Sequence, residues 1–158
     1  TGDFTRSSAE MFPQIYSGIS FYPTGSSGYV SSSDVAKACV LLADNNVTNE
    51  RFLLNSENRS YKSLMCTTAI ALNVKPPFQV VKPWMSALVW RMFWLIEKLT
   101  GKRALATKSS LKMSSLTIEY DGSKIERVLA LKGVNWKYEP INEAISRTAK
   151  SYLDSISS

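Results

Sequence analysis

Apolar residues fall at helical spacing in three stretches of the chain: Val35, Ala38, Cys39 and Leu42; Leu64, Met65, Thr68 and Leu72; and Ala144, Ile145, Thr148, Ala149 and Leu153. A three-to-four-residue spacing puts such positions on one face of a helix, so it predicts helices over 35–44, 61–73 and 141–156. Their expected starts are an Asp34 N-cap, a Ser60 N-cap and Pro140, and Asn45-Asn46 stops the first. A helix from Ser7 or Ser8 to Ser17, stopped by Gly18, must start late or kink at Pro13. Pro83 opens a long helix to Thr100, Thr107 or Ser109 a short one through Met113, and Ser123 caps another to Leu131, ended by Gly133. Short runs read as extended: Ile19–Tyr22, Tyr29–Val30, Phe78–Val81 and Asn135–Tyr138, with Arg51–Asn55 as a buried strand. Pro23–Gly28 reads as a turn-rich loop and 114–119 as irregular. Brief strands alternating with helices predict the α/β class, mostly helical: the tail of a parallel sheet followed by a helical cap.

Composition narrows this reading. The chain has 158 residues, 44% of them hydrophobic, enough for one compact domain with a core. The net charge of +6 comes from scattered Lys and Arg, whose longest run is Lys102-Arg103. With no basic run interleaved with aromatics, no nucleic-acid partner is expected. Histidine is absent, which removes His-ligated metal sites, Ser-His-Asp triads and Cys-His dyads together. Cys39 and Cys66 lie in apolar helical stretches and read as buried free thiols. The sequons Asn46-Val-Thr48 and Asn58-Arg-Ser60 read as chance matches, since no apolar signal segment precedes them. The opening Thr1-Gly-Asp-Phe-Thr-Arg6 reads as a chain joined mid-protein.

The segment Trp84–Ile96 is apolar on nearly every face but too short, and interrupted by Arg91, to span a membrane. It reads first as a core helix. It could also line an apolar substrate pocket, or rest on a membrane surface with Arg91 and Lys98 snorkelling. If left exposed, its free face would favour a homodimer.

Several blocks, in order along nearly the whole chain, resemble a known family. They are Gly2-Asp3; Phe21-Tyr-Pro-Thr-Gly25 with Gly28-Tyr-Val-Ser-Ser-Ser-Asp-Val-Ala-Lys-Ala38; Asn49-Glu-Arg-Phe-Leu-Leu-Asn-Ser56 with Ser60-Tyr61; Tyr120-Asp-Gly-Ser-Lys-Ile125; and Trp136-Lys-Tyr-Glu-Pro140. Together they resemble the C-terminal, substrate-side part of the extended short-chain dehydrogenases/reductases, which include nucleotide-sugar epimerases, dihydroflavonol reductases and hydroxysteroid dehydrogenases. The resemblance implies the last strands of a Rossmann-type parallel sheet plus a helical C-terminal cap. It makes 1–158 one substrate-binding domain, with 1–75 as the sheet-edge part and 76–158 as the cap, and places the Asn49–Ser56 block at the family's last sheet strand.

The same resemblance implies NAD or NADP for the parent protein and none for this chain alone. No Gly-x-x-Gly-x-x-Gly occurs here. The family's Tyr-x-x-x-Lys pair, in which lysine lowers the tyrosine pKa for acid–base work, lies upstream of the part resembled. Tyr120-Asp-Gly-Ser-Lys124 has that spacing, but Gly122 and the Ser123 cap put Tyr120 outside the helix, so no catalytic residue is expected. The family's nucleotide-sugar members carry an arginine where Ser27 and Gly28 stand here, which points to a weakly charged hydroxyl or carbonyl substrate. Phe4, Met11, Phe12, Tyr16, Phe21, Tyr22, Thr24 and Ser27 are the candidate substrate-side residues, with ordinary packing as the alternative role for Met11 and the aromatic ones. The expected protein is cytoplasmic, and its partners are a small-molecule substrate and an N-terminal cofactor domain. The alternative is a stand-alone, non-catalytic binding or interaction module.

Overall fold

The computed structural model describes Phe4 and residues 7–81 and 112–157. The helix expected over 83–100, the Trp84–Ile96 segment, Gly2-Asp3 and Lys102-Arg103 lie outside the described residues, as does all but the helical end, Lys112 and Met113, of the helix expected from Thr107 or Ser109. A 3-10 turn, Ser7–Glu10, leads into α1 (Met11–Tyr16). Then come β1 (Phe21–Tyr22), β2 (Ser26–Tyr29), α2 (Ser32–Asp44), β3 (Glu57–Ser60), α3 (Tyr61–Ala71), β4 (Gln79–Val80), α4 (Lys124–Leu131) and α5 (Ile141–Ile156). The class is mixed α/β. β1 pairs in parallel with β4, Phe21 opposite Gln79 and Tyr22 opposite Val80. β2 and β3 form an antiparallel ribbon in the register Ser26–Ser60 to Tyr29–Glu57. The described residues therefore contain a two-stranded parallel piece and a ribbon, not a Rossmann-type sheet.

The helices follow their apolar faces. Ile15 and Phe12 of α1, Leu64, Met65, Ala69 and Leu72 of α3 and its end, and Ile141, Ile145, Ala149 and Tyr152 of α5 form one buried cluster. Ala38 of α2, Ile125 and Leu129 of α4, and Trp136 form a second. Pro13 does not break α1, because it sits in the first turn, where a backbone N–H has no partner within the helix. The chain before it is a 3-10 turn, so α1 starts at Met11, later than Ser7 or Ser8. Gly18 and Gly133 take positive φ, 88° and 75°, just past α1 and α4, the left-handed stop that glycine adopts without a Cβ clash. Ser60 caps α3, its Oγ accepting the Ser63 N–H at 3.2 Å.

Several expectations are corrected. α2 starts at Ser32, capped by extended Ser31, whose Oγ accepts the Ser33 N–H. Asp34 is not the cap; it lies within the first turn and is 1% exposed. Pro23–Gly28 is not all loop, because Ser26–Gly28 belong to β2, which extends the piece expected at Tyr29–Val30. Arg51–Asn55 is not a strand: Phe52 and Leu54 lean on the second cluster, and pairing begins only at Glu57. The parallel partner of β1 is instead Gln79–Val80, after α3. Asn135–Tyr138 pairs with no strand among the described residues. Cys39 is exposed and Cys66 partly buried, both free, because α2 and α3 turn these residues away from their clusters.

Candidate functional site

The expected substrate-side residues divide into two groups. Phe4, Met11, Phe12 and Tyr16 gather around the α1–α5 contact. Phe4 meets Phe12 and Tyr152 edge-on, with centroids 6.3 and 5.0 Å apart. Tyr16 meets Tyr152 at 5.7 Å, and Met11 packs against the same cluster. Phe12 is 6% exposed and is a core residue, so burial alone accounts for it. The other four follow the chain from β1 into β2. Phe21 is exposed, Tyr22 packs on the first cluster beneath the Lys62 ammonium, Thr24 is exposed in the connecting loop, and Ser27 stands opposite Arg59 in the ribbon. The Lys62 Nζ lies 5.5 Å from the Tyr22 ring centroid.

Beside these residues lies a polar junction that the sequence did not single out. Asn55, 8% exposed, donates from Nδ2 to the Tyr120 carbonyl at 2.8 Å and to Asn58 Oδ1 at 3.1 Å. Asn58 returns both bonds to the Tyr120 backbone, from Nδ2 to its carbonyl and at Oδ1 from its N–H. Two glycines make room for this contact. A Cβ on Gly28 would stand 2.4 Å from Asn55 Oδ1, and one on Gly122 would stand 2.3 Å from the Asn55 carbonyl oxygen. These glycines belong to blocks quoted above, and here their task is close packing.

Glu57 and Arg59, on the same face of β3, close the other side of the ribbon. Arg59 Nε donates to Glu57 Oε2 at 2.7 Å and Nη1 to Asn142 Oδ1 at 2.7 Å. Glu57 Oε1 accepts the Ile141 N–H at 3.1 Å, so a carboxylate sits at the N-terminus of α5, where the helix dipole favours it. Asp34 Oδ2 accepts the Glu139 N–H at 2.8 Å. Arg147 forks onto the Glu139 carboxylate, Nη2 to Oε2 at 2.9 Å, and its Nη2 reaches Ser31 Oγ at 3.3 Å. These bonds tie α2 and the ribbon to the start of α5.

The ionisable groups that are perturbed move away from neutrality. Arg147 holds the Glu139 carboxyl below the usual carboxylate range, and Glu139 raises Arg147 in return. Bonds from Ser123 lower Asp121. Burial raises Tyr138, and burial with neighbouring Tyr61 pushes Tyr29 up to about 12. None of these shifts poises a group for proton exchange near pH 7. Tyr120 lies outside α4, whereas Lys124 begins it. Lys124 Nζ binds the Arg51 carbonyl at 3.0 Å and Glu50 Oε2 at 2.9 Å, and lies 4.8 Å from the Phe52 ring centroid. Tyr120 and Lys124 therefore do not form an acid–base pair on one helix face. Among the described residues no group of three or more His, Cys, Asp or Glu could hold a metal ion. Nor is any helix among them long and apolar enough to cross a membrane.

No protein-family model and no curated protein matches the chain. Among solved structures it is similar to the one titled "Crystal structure of gox2253", with 18% identity and a TM-score of 0.64. The match covers 92% of this chain and 42% of that chain, so this chain spans less than half the length of the protein whose fold it shares.

Proposed function

We propose that the chain is the substrate-side part of an NAD(P)-dependent reductase or epimerase of the extended short-chain dehydrogenase/reductase type. It is inactive alone, and the parent protein acts on a small, weakly charged hydroxyl or carbonyl compound. The observation that carries this reading is the β1–β4 pair. Parallel strands occur in sheets covered on both faces, and two strands alone are marginal in water. Here Tyr22 packs toward the helices while its neighbour Phe21, on the other face, is 39% exposed. Such a fragment of parallel sheet calls for further strands and a covering layer. A shared fold with part of a chain more than twice as long supports the same reading. The quoted blocks supply the choice of family, and on this reading the cofactor is bound by a glycine-rich turn in another part of the parent protein. Phe21, Tyr22, Thr24 and Ser27, on the connection out of the parallel pair, are the substrate-side residues the reading retains. A cytoplasmic setting belongs to the same reading.

The test is to express the longer reading frame that contains this chain and follow nicotinamide absorbance with a panel of carbonyl compounds. The reading expects a glycine-rich turn and a Tyr-x-x-x-Lys upstream, and oxidation of NADH or NADPH that depends on the carbonyl compound. A reading frame without these elements, or one inert toward both cofactors, would favour a binding module without catalysis.

A further inference from the structure

α2 is apolar on two faces, and only one of them is covered. Ala38, Leu41 and Leu42 turn toward α4 and Trp136. Val35, Ala36, Cys39, Val40 and Ala43 are all exposed, Val40 at 58% and Val35 at 38%. At 100° per residue these five positions span one arc of roughly 140°, shared only with exposed Ser32 of the first turn. A surface helix ordinarily turns charge to that side. Here the flank beside Val40 carries Lys37 and Asp44, both exposed and neither in an ion pair among the described residues. Lys37 does contribute to the field that keeps Glu139 ionised, but Glu139 already has Arg147 as its partner.

We propose that this face of α2 is a two-fold contact between copies of the chain. A two-fold axis reverses one helix against the other. With the axis crossing between Val40 and Leu41, Lys37 of each copy comes level with Asp44 of its mate. One flank thus supplies both members of two ion pairs, a self-complementarity that an unrelated partner would not require. Alanine at 36 and 43 and cysteine at 39 allow close approach, and Val35 and Val40 fill the seam. The two Cys39 residues then differ in level by three residues of rise, about 4.5 Å, within the span of a disulfide. This inference is independent of the proposed function: the contact could form in a reductase subunit or in a binding module.

The test uses light scattering on the 158-residue chain, with mild oxidation as a second readout. The wild type is expected to be a concentration-dependent dimer, and V40E to weaken association about tenfold or more with an unchanged circular dichroism spectrum. K37D and D44K should each weaken association, and the double exchange K37D/D44K should restore it. Oxidation should link two copies through Cys39, so that C66S still cross-links and C39S does not. A chain that stays monomeric at every concentration, a dimer indifferent to V40E, charge exchanges that show no rescue, or cross-linking through Cys66 alone would overturn the proposal.

Discussion

α3 and α5 meet through Leu64, Met65, Ile145 and Ala149, none more than 7% exposed. β2 and β3 meet through Ser26, Ser27, Gly28 and Tyr29 against Glu57, Asn58, Arg59 and Ser60, where Tyr29 is the only large apolar group. The helices are held by apolar area, which needs only the right spacing on one face. The ribbon is held by a backbone ladder, by Asn55 and Asn58 on the Tyr120 backbone, and by Glu57 on the start of α5. Each of its contacts needs one particular atom in one place, and two glycines must keep Cβ atoms out of the way. The two regions should therefore fail differently when mutated: the helices in proportion to lost volume, the ribbon when one polar or glycine position changes.

The largest effect should come from the helical side. Ile145→Ala is expected to cost about 4 kcal/mol of folding stability by leaving a cavity in the α3–α5 contact, read as a lower denaturation midpoint at unchanged slope. Gly122→Ala should cost about 3 kcal/mol although it adds a single carbon, because that carbon lands on the Asn55 backbone rather than on a side chain able to move. A cost under about 1 kcal/mol would erase the contrast between the regions. Asn55→Ala should cost about 2 kcal/mol, since it leaves the Tyr120 carbonyl with one bond where it had two and removes a buried link to Asn58.

A smaller effect is expected from acid. The Glu139 carboxyl is depressed in the folded chain, chiefly by its bonds from Arg147. Its contribution is complete above the ordinary glutamate pKa and is lost as pH falls through the lowered folded value. Arg147→Gln should therefore lower the melting temperature slightly at neutral pH and flatten the acid side of its plot against pH, the two curves converging at low pH, where the wild type has lost the same contribution. Tyr29 gives the smallest and opposite effect. Its hydroxyl is buried with no hydrogen-bond partner among the described residues, and its pKa is pushed up to about 12. The phenol must stay protonated in the fold, so stability falls as pH rises from the ordinary tyrosine value toward that figure. Tyr29→Phe should be neutral or stabilising by up to about 1 kcal/mol and should remove part of the alkaline decline.

The same contrast explains what could be read in the chain beforehand. α3 and α5 were legible because Leu64, Met65 and Thr68, like Ile145 and Ala149, repeat at the helical period and all five are buried. Ser60 and Pro140 marked their starts because cap and first-turn chemistry is local. β2 and β3 were not legible: Ser-Ser-Gly-Tyr and Glu-Asn-Arg-Ser carry no alternation, and their pairing depends on residues some thirty positions apart. Arg51–Asn55 misled for the converse reason. Its apolar run marks packing on the second cluster, and a run that short does not distinguish a strand from a buried loop. At the candidate site, the aromatic residues before α2 were visible as a set, but only packing around the first cluster, Phe4 and Tyr16 on Tyr152 and Phe12 on Phe4, separates them from exposed Phe21. Asn55, Glu57 and Arg59 carried no local signal, because their partners lie at Tyr120, Ile141 and Asn142.

On the proposed reading, the cofactor and the acid–base chemistry of the parent protein are supplied by residues outside this chain. The most direct measurement is a fluorescence titration of the 158-residue chain with NADH and NADPH, in the presence and absence of a carbonyl compound. The account predicts no saturable binding and no oxidation of either nucleotide. Saturable binding accompanied by turnover would contradict it.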